Sequence, residues 1–464
     1  MQAGRPGFSL ALGIAMAAGF ALLAGAATGV PAVETARPPF SPAPRNCFSL
    51  QGFSLRIPRL TDAVPVADDG SATIAWITPG GVVMSASQDR SGVWGTLEAV
   101  AGVSPVDSRA PVLAGDAAGD LALAWVRGDA VQVALRPAGG VWGRPRTTSR
   151  AGQGVAGFTA IPLVSVAAGG RVAIAWPSIG RSHIRHLAGG GLAISGAIHL
   201  ELALGSISAR VRTARPLILD APRFDGHLVD PQTAALGMTS GGRPVVAFSD
   251  GRRVIVADID PAPGAPMPDT TRRLVAPAPR RPSGRPGSYT GAVLSSGASG
   301  RMAVAWTANG VVSVAVRSRS GAWGRVANVS RPPAVAGEPR IAVASDGRVA
   351  VTWVASIRTP RITRHGGRSP VAFSALRSVA GVWETPQRLT SISQIPSDPH
   401  VSIDGTGRTI VVLALGTNGI SGVASTVLFE SRGPADATWT DGGGLSTAGN
   451  RPPFPRPPRC RAPL

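Results

Sequence analysis

A chain of 464 residues with 46 basic against 26 acidic side chains carries a formal charge of +20, and every one of those basic residues is an arginine. Arginine without lysine, beside 59 glycines and 42 prolines, reflects coding composition as much as partner choice, so the charge alone names no ligand. No basic recognition helix, zinc-ligand spacing or basic-aromatic strand motif is present, which excludes the usual nucleic-acid modules and leaves no cofactor or metal to expect.

Residues 1–32 hold one basic residue, a long apolar run and small residues at Ala24 and Ala26. That order reads as a secretory signal cut after Ala26 or Ala32, with an uncleaved anchor as the alternative because the run approaches spanning length. The expected location is therefore outside the cell or at its surface, with no membrane span once the leader is removed. Residues 33–47, rich in Pro and Ala, read as an extended linker.

From residue 48 to residue 445 the chain repeats one phrase, a strand ending in Trp followed by a Gly turn and a second Trp. The first Trp stands at Trp76, Trp125, Trp176, Trp306 and Trp353, with Phe248 and Leu413 in the two remaining slots. The second stands at Trp94, Trp142, Trp323, Trp383 and Trp439, with Leu192 in the matching place of HLAGGGLAIS. A period of about 50 residues built from period-2 strands marks radial sheet repetition. Within residues 338–389, PRIAVAS, VAVTWV, VAFSALRS and ETPQRL are the four strands of one unit, and all the Trp side chains are expected in the core. The reading is all-β: a single β-propeller of four-stranded blades, seven favoured, with six and eight as alternatives. A Pro- and Arg-rich tail occupies 446–464. Cys47 and Cys460, the only cysteines, flank the array, and closing the ring would make them neighbours joined by a disulfide.

The second-Trp phrase resembles the Asp-box, or BNR, repeat of sialidase-type propellers. Ser87, Asp89, Gly92 and Trp94 carry the resemblance in SQDRSGVW; elsewhere only the Gly and Trp remain, as in Gly140 and Trp142, Gly321 and Trp323, and Gly381 and Trp383. The resemblance implies the propeller fold, with the Asp-box on the face away from the active site. It also implies a Tyr nucleophile assisted by Glu, an Asp acid/base and three Arg on a substrate carboxylate. This chain has a single Tyr, Tyr289, in the Pro- and Arg-rich stretch RRPSGRPGSYTG with no Glu close by.

Chain direction assigns the short turns to one face and the long inserts to the other. The inserts carry Arg181 and Arg185, Arg280, Arg281 and Arg285, and Arg358, Arg361, Arg364 and Arg368, interspersed with His183, His186 and His365. Arginine forks suit carboxylate or phosphate, so this face is expected to take an anionic polymer or an extracellular protein. On the same side, acids open the innermost strands at Asp62, Asp107, Asp230, Glu338 and Asp398, with Arg109, Arg340 and His400 beside them. The leading expectation is a non-catalytic extracellular binding propeller. Its rival is a glycoside hydrolase or polysaccharide lyase acting at the channel mouth through Asp107, Glu338 and Asp398, with Tyr289 a further candidate. The sequence leaves the oligomeric state open.

Overall fold

In the computed structural model the described residues are 64–77, 81–91, 95–102, 111–128, 130–149, 161–179, 183–186, 192–195, 198–208, 212–213, 234–249, 254–259, 272–276, 289–331, 335–358, 368–390, 394–417, 425–431 and 439–445. They contain strands and turns and no helix. Among the described residues seven antiparallel sheets of three or four strands follow one another along the chain, and one two-stranded hairpin stands apart from them. Sheet 1 holds Ala72–Ile77, Val82–Gln88 and Glu98–Gly102, with the run from Val64 to Ala67 laid beside it through the Val66–Ala72 bridge. Sheet 2 holds Val112–Gly115, Leu121–Arg127, Ala130–Arg136 and Arg146–Thr147, and sheet 3 holds Leu163–Ala167, Arg171–Ile179, Ile198–Ser206 and Arg212–Thr213. Sheet 4 holds Ala235–Met238, Pro244–Ser249, Val254–Asp258 and Arg272–Ala276, and sheet 5 holds Tyr289–Ser296, Met302–Ala308, Val311–Arg317 and Ala327–Asn328. Sheet 6 holds Val335–Val343, Val349–Arg358, Arg368–Arg377 and Gln387–Arg388, and sheet 7 holds Gln394–Ile403, Thr409–Thr417, Ser425–Ser431 and Trp439–Leu445.

The second strand of each sheet explains how these sheets come to stand side by side. Its apolar stretch is buried on both faces, as in all six residues of Ala72–Ile77, which take this place in sheet 1 after the Val64–Ala67 run, and all seven of Met302–Ala308. Alternation then sends odd and even positions to different neighbours. In sheet 2, Leu121, Leu123 and Trp125 pack against sheet 1, while Ala122 and Ala124 pack against sheet 3. In sheet 5, Met302, Val304 and Trp306 pack against sheet 4, and Ala303 and Ala305 against sheet 6. The bulky face thus looks back to the preceding sheet, and the alanine face leaves room for the next Trp. Phe248 and Leu413 occupy the Trp slot where expected, in the clusters joining sheets 3 and 4 and sheets 6 and 7. A further cluster joins the last sheet to the first, with Ile410 and Val412 against Val64, Ile74 and Trp76. That contact closes the circle: the fold is a β-propeller.

Three sequence expectations are corrected. Leu192 does not hold the second-Trp position of sheet 3; it pairs with His186 in a separate hairpin, His183–His186 with Leu192–Ser195, and the third and fourth strands come from the stretch that follows it. The apolar alternation of HLELALG carries that strand, and the Gly-rich run before it masked the signal. The second Trp residues are not uniformly core: Trp142, Trp323 and Trp383 are half-buried, whereas Trp76, Trp125, Trp176, Trp306 and Trp353 are at most 2% exposed. Finally, Tyr289 opens the innermost strand of sheet 5, opposite Ala308, and does not lie in a connection. The fourth strands of sheets 2, 3, 5 and 6 are only two residues long, as exposed edges favour.

Candidate functional site

Glu338 and Asp398 lie in the innermost strands of adjacent sheets, each at a break in register: between Ala336 and Pro339, and between Ser397 and His400. A third break falls between Thr290 and Val293, next to Tyr289. Bulges of this kind re-aim the chain at barrel and ring mouths. The Gly337 carbonyl at one of them accepts a hydrogen bond from Thr307 Oγ1 of sheet 5 at 2.7 Å. Arg340 and His400 take equivalent positions, opposite Thr352 and Val412; His400 is buried and Arg340 half-buried. Asp62, Asp107, Arg109 and Asp230 lie outside the described residues.

The long-insert face is marked by two tall hairpins. The second and third strands of sheet 6 are each ten residues long and stay in register to their tip, where exposed Arg358 stands directly opposite Arg368. Arg361, Arg364 and His365 belong to the segment between them, outside the described residues. In sheet 3 the corresponding strands are nine residues long, and the extra hairpin carrying His183, Arg185 and His186 follows the second. Arg181, Arg280, Arg281 and Arg285 lie outside the described residues, as do Cys47 and Cys460.

At the opposite end, the short turns close over the ring axis. A cavity of about 50 Å³ there takes its lining from all seven sheets, through Asp68, Asp116, Ala168, Ser240, Ala298, Ser345 and Ile403 among others. The rim is tied by arginines that directly follow a turn glycine. Arg171 of sheet 3 donates to the Gly241 carbonyl at 2.7 Å and to the Ser240 carbonyl of sheet 4. Arg301 of sheet 5 donates to the Asp346 carbonyl of sheet 6 at 3.3 Å, and Arg408 of sheet 7 to the Gly70 carbonyl of sheet 1 at 2.5 Å. Sequence reading missed this series, although the Gly-Arg dipeptide recurs at 170–171, 242–243, 300–301, 347–348 and 407–408. Sheets 1 and 2 depart from it with Ser71 and Asp120. Asp116 is 7% exposed, and its burial raises its carboxyl above the ordinary value despite the amides of Asp120 and Ala118, with the Asp120 charge adding to the rise.

A second arginine series ends the third strands. Arg317 forms a two-pronged pair with Asp258 of sheet 4, at 2.8 and 2.7 Å, and its Nε donates to the Gly321 carbonyl. Arg136 donates to Thr73 Oγ1 at 3.1 Å and Ser87 Oγ at 2.9 Å of sheet 1 and lies over the Trp142 ring, whose Nε1 donates to Ser85 at 2.7 Å. Burial lowers its guanidinium below the ordinary value, with Glu98 opposing. In these repeats Arg-x3-Gly-x-Trp stands where the Asp-box phrase was sought, and it fastens blades together.

No protein-family model and no curated protein sequence matches the chain. Among solved structures it is similar to the BP39L lectin from Burkholderia pseudomallei, at 16% identity over 84% of this chain and 99% of that chain, with a TM-score of 0.50. It is also similar to the Aleuria aurantia lectin, described as a six-bladed β-propeller, at 10% identity over 85% and 97% of the two chains with a TM-score of 0.39. The intramolecular trans-sialidase from Ruminococcus gnavus follows at 12% identity, 77% and 89% coverage and a TM-score of 0.35. Likeness at these identities speaks to the fold alone.

Proposed function

We propose that the protein is an exported, non-catalytic binding propeller whose long-insert face engages an anionic polymer. The observation that carries this reading is the Arg358–Arg368 register pair at the tip of the tallest hairpin. Like charges placed directly opposite each other in a ladder are destabilising, and a shared anion removes the cost. Arg361 and Arg364 in the intervening segment would extend the same grip, and Arg181 with Arg185 of the extra hairpin would supply a second one. Arg109, Arg340 and His400 belong to this reading as contacts at the channel mouth. Lectins among the similar structures are compatible with a carbohydrate ligand, and their names lend no more than that.

The test is binding to immobilised polyuronate and dextran sulfate, with neutral dextran as control. Affinity is expected to fall steeply with salt and to drop at least tenfold in a variant carrying Ala at 358, 361, 364 and 368. Binding that ignores salt, or that survives in the variant, would sink the reading.

The bulges at Glu338 and Asp398 support one rival. Two acids at equivalent positions of neighbouring sheets are the residue types a glycan hydrolase or lyase employs, with Asp107 and Tyr289 as further candidates. Turnover of uronates or sialosides that vanishes in both Glu338→Gln and Asp398→Asn would move the assignment to this enzyme.

A further inference from the structure

The axial cavity at the short-turn end contains a feature that neither arginine series explains. Asp116 Oδ1 is committed to its own turn, accepting the amides of Ala118 and Asp120 at 3.0 Å each. Asp116 Oδ2 is buried and makes no hydrogen bond of full geometry within the protein, although the Gly170 amide acts on the carboxyl as a weak backbone donor. A buried carboxylate oxygen left in that state is costly unless a water or an ion meets it. Asp68 lines the same cavity from sheet 1: its Oδ1 accepts Ser345 Oγ at 2.8 Å and the Gly405 amide at 3.1 Å, and its own amide donates to the Ala117 carbonyl at 2.8 Å. The two acidic turns are thus tied side by side. Thr239 and Ser240 offer further oxygens. These are also the two sheets in which Ser71 and Asp120 replace the arginine of the turn, although Arg408 of sheet 7 still reaches the Gly70 carbonyl of sheet 1.

Among the described residues no group of three or more His, Cys, Asp and Glu is arranged to hold a metal. Carboxylates therefore supply only part of any coordination here, and main-chain carbonyls, hydroxyls and water must supply the rest. Such all-oxygen sets suit hard cations, and the size of the cavity limits the occupant to one ion or one or two waters. We propose that this end of the channel is a site for a single hard cation of the Ca²⁺ class, bound through Asp116 Oδ2 with Asp68 beside it. The ion would bridge sheets 1 and 2 at the axis and stiffen the ring near its seam.

The experiment uses the full exported chain, stripped with EDTA, with unfolding and titration calorimetry followed against CaCl₂ and, at equal ionic strength, NaCl. Wild type should show a saturable rise in Tm of a few degrees specific to CaCl₂, with one site per chain. Asp116→Asn keeps the oxygen that accepts the turn amides and should lose the response. Asp68→Asn should weaken calcium at least tenfold, and it decides the matter should Asp116→Asn fail to fold. A wild type without a saturable response means that water alone occupies the cavity, and it overturns the proposal. So does a full response in Asp116→Asn, or in Asp68→Asn where that variant has to decide. The site lies at the other end of the ring from the arginine hairpins, so polymer binding and calcium binding fail independently.

Discussion

Tryptophan plays two parts in this chain, one inside the second strand and one in the turn after the third. Trp353 is 2% exposed, stacks on Phe373 with centroids 5.9 Å apart, and packs on the alanines of sheet 5; Trp383, in the turn after the third strand, leaves part of its ring in solvent. Trp353→Ala should therefore cost about 3 to 5 kcal/mol and Trp383→Ala only about 1 to 2, a gap that denaturant unfolding would read directly. Equal costs would mean that the half-exposed ring carries more of the interface than its burial implies. Arginine divides likewise. Arg317 is one of the least exposed charges in the fold and leaves Asp258 unpaired when removed, so Arg317→Ala should lose about 2 to 3 kcal/mol. Pairing it with Asp258→Ala should recover part of that loss; no recovery would show that the arginine acts mainly by packing. Asp116 makes a prediction of opposite sign in pH. Because burial raises its folded-state value above the ordinary 3.8, its contribution to stability is fully present below that value and is lost as pH rises through the folded one. Asp116→Asn, measured without calcium, should flatten the stability profile across that window; an unchanged profile would show that the carboxyl ionises in the fold as freely as in the unfolded chain.

At the scale of elements, the second strands were the most legible part of the sequence. Their alternation of a large residue with alanine, as in LALAWV and MAVAWT, states both the strand and its two unlike faces. The innermost strand of sheet 5 was hidden behind Pro and Gly in RRPSGRPGSYTG, and the third strand of sheet 3 behind a hairpin inserted before it, because local turn signals outweigh a short apolar alternation when the chain is read alone. The candidate site was legible only as residue types. Acids at the inner-strand starts could be named from sequence, but the register breaks that distinguish Glu338 and Asp398 depend on pairing with the neighbouring strand, which sequence does not display. Asp116 was missed because an acid in a turn before Gly looks purely structural, and its buried second oxygen is a property of all seven turns meeting. The tall hairpin of sheet 6 yields its own prediction. Replacing residues 359–367 by a two-residue Asn-Gly turn should leave Tm nearly unchanged, since the core residues Val349, Val351 and Trp353 lie well below the tip. Polymer binding should be lost in the same variant; retained binding would place the contact elsewhere on the ring.

For the molecule as a whole, the decisive interface is the one between sheets 7 and 1, because it alone joins residues from opposite ends of the array. Its apolar cluster is backed by Arg408 reaching Gly70, 338 residues away in sequence, and by Ser402 bonded to the Val64 carbonyl. Six of the seven interfaces form between sheets adjacent in sequence, whereas this seam requires the whole array to be assembled, so it is the natural place for opening to begin. A covalent clasp between Cys47 and Cys460 would act on this seam and on no other. In the chain-entropy model a loop this long gives at most about 6 kcal/mol, and strain or residual structure in the unfolded chain reduces that figure. With the clasp in place, reduction of the protein would lower Tm in wild type, and Cys47→Ser with Cys460→Ser would reproduce the loss and abolish further sensitivity to reductant. If the clasp forms, Arg408→Ala should cost more in the reduced protein than in the oxidised one, because the bond and the arginine would then fasten the same two sheets. Non-reducing mass spectrometry that finds two alkylatable thiols in freshly secreted material would end the clasp, leaving the seam to Arg408 and its apolar cluster alone.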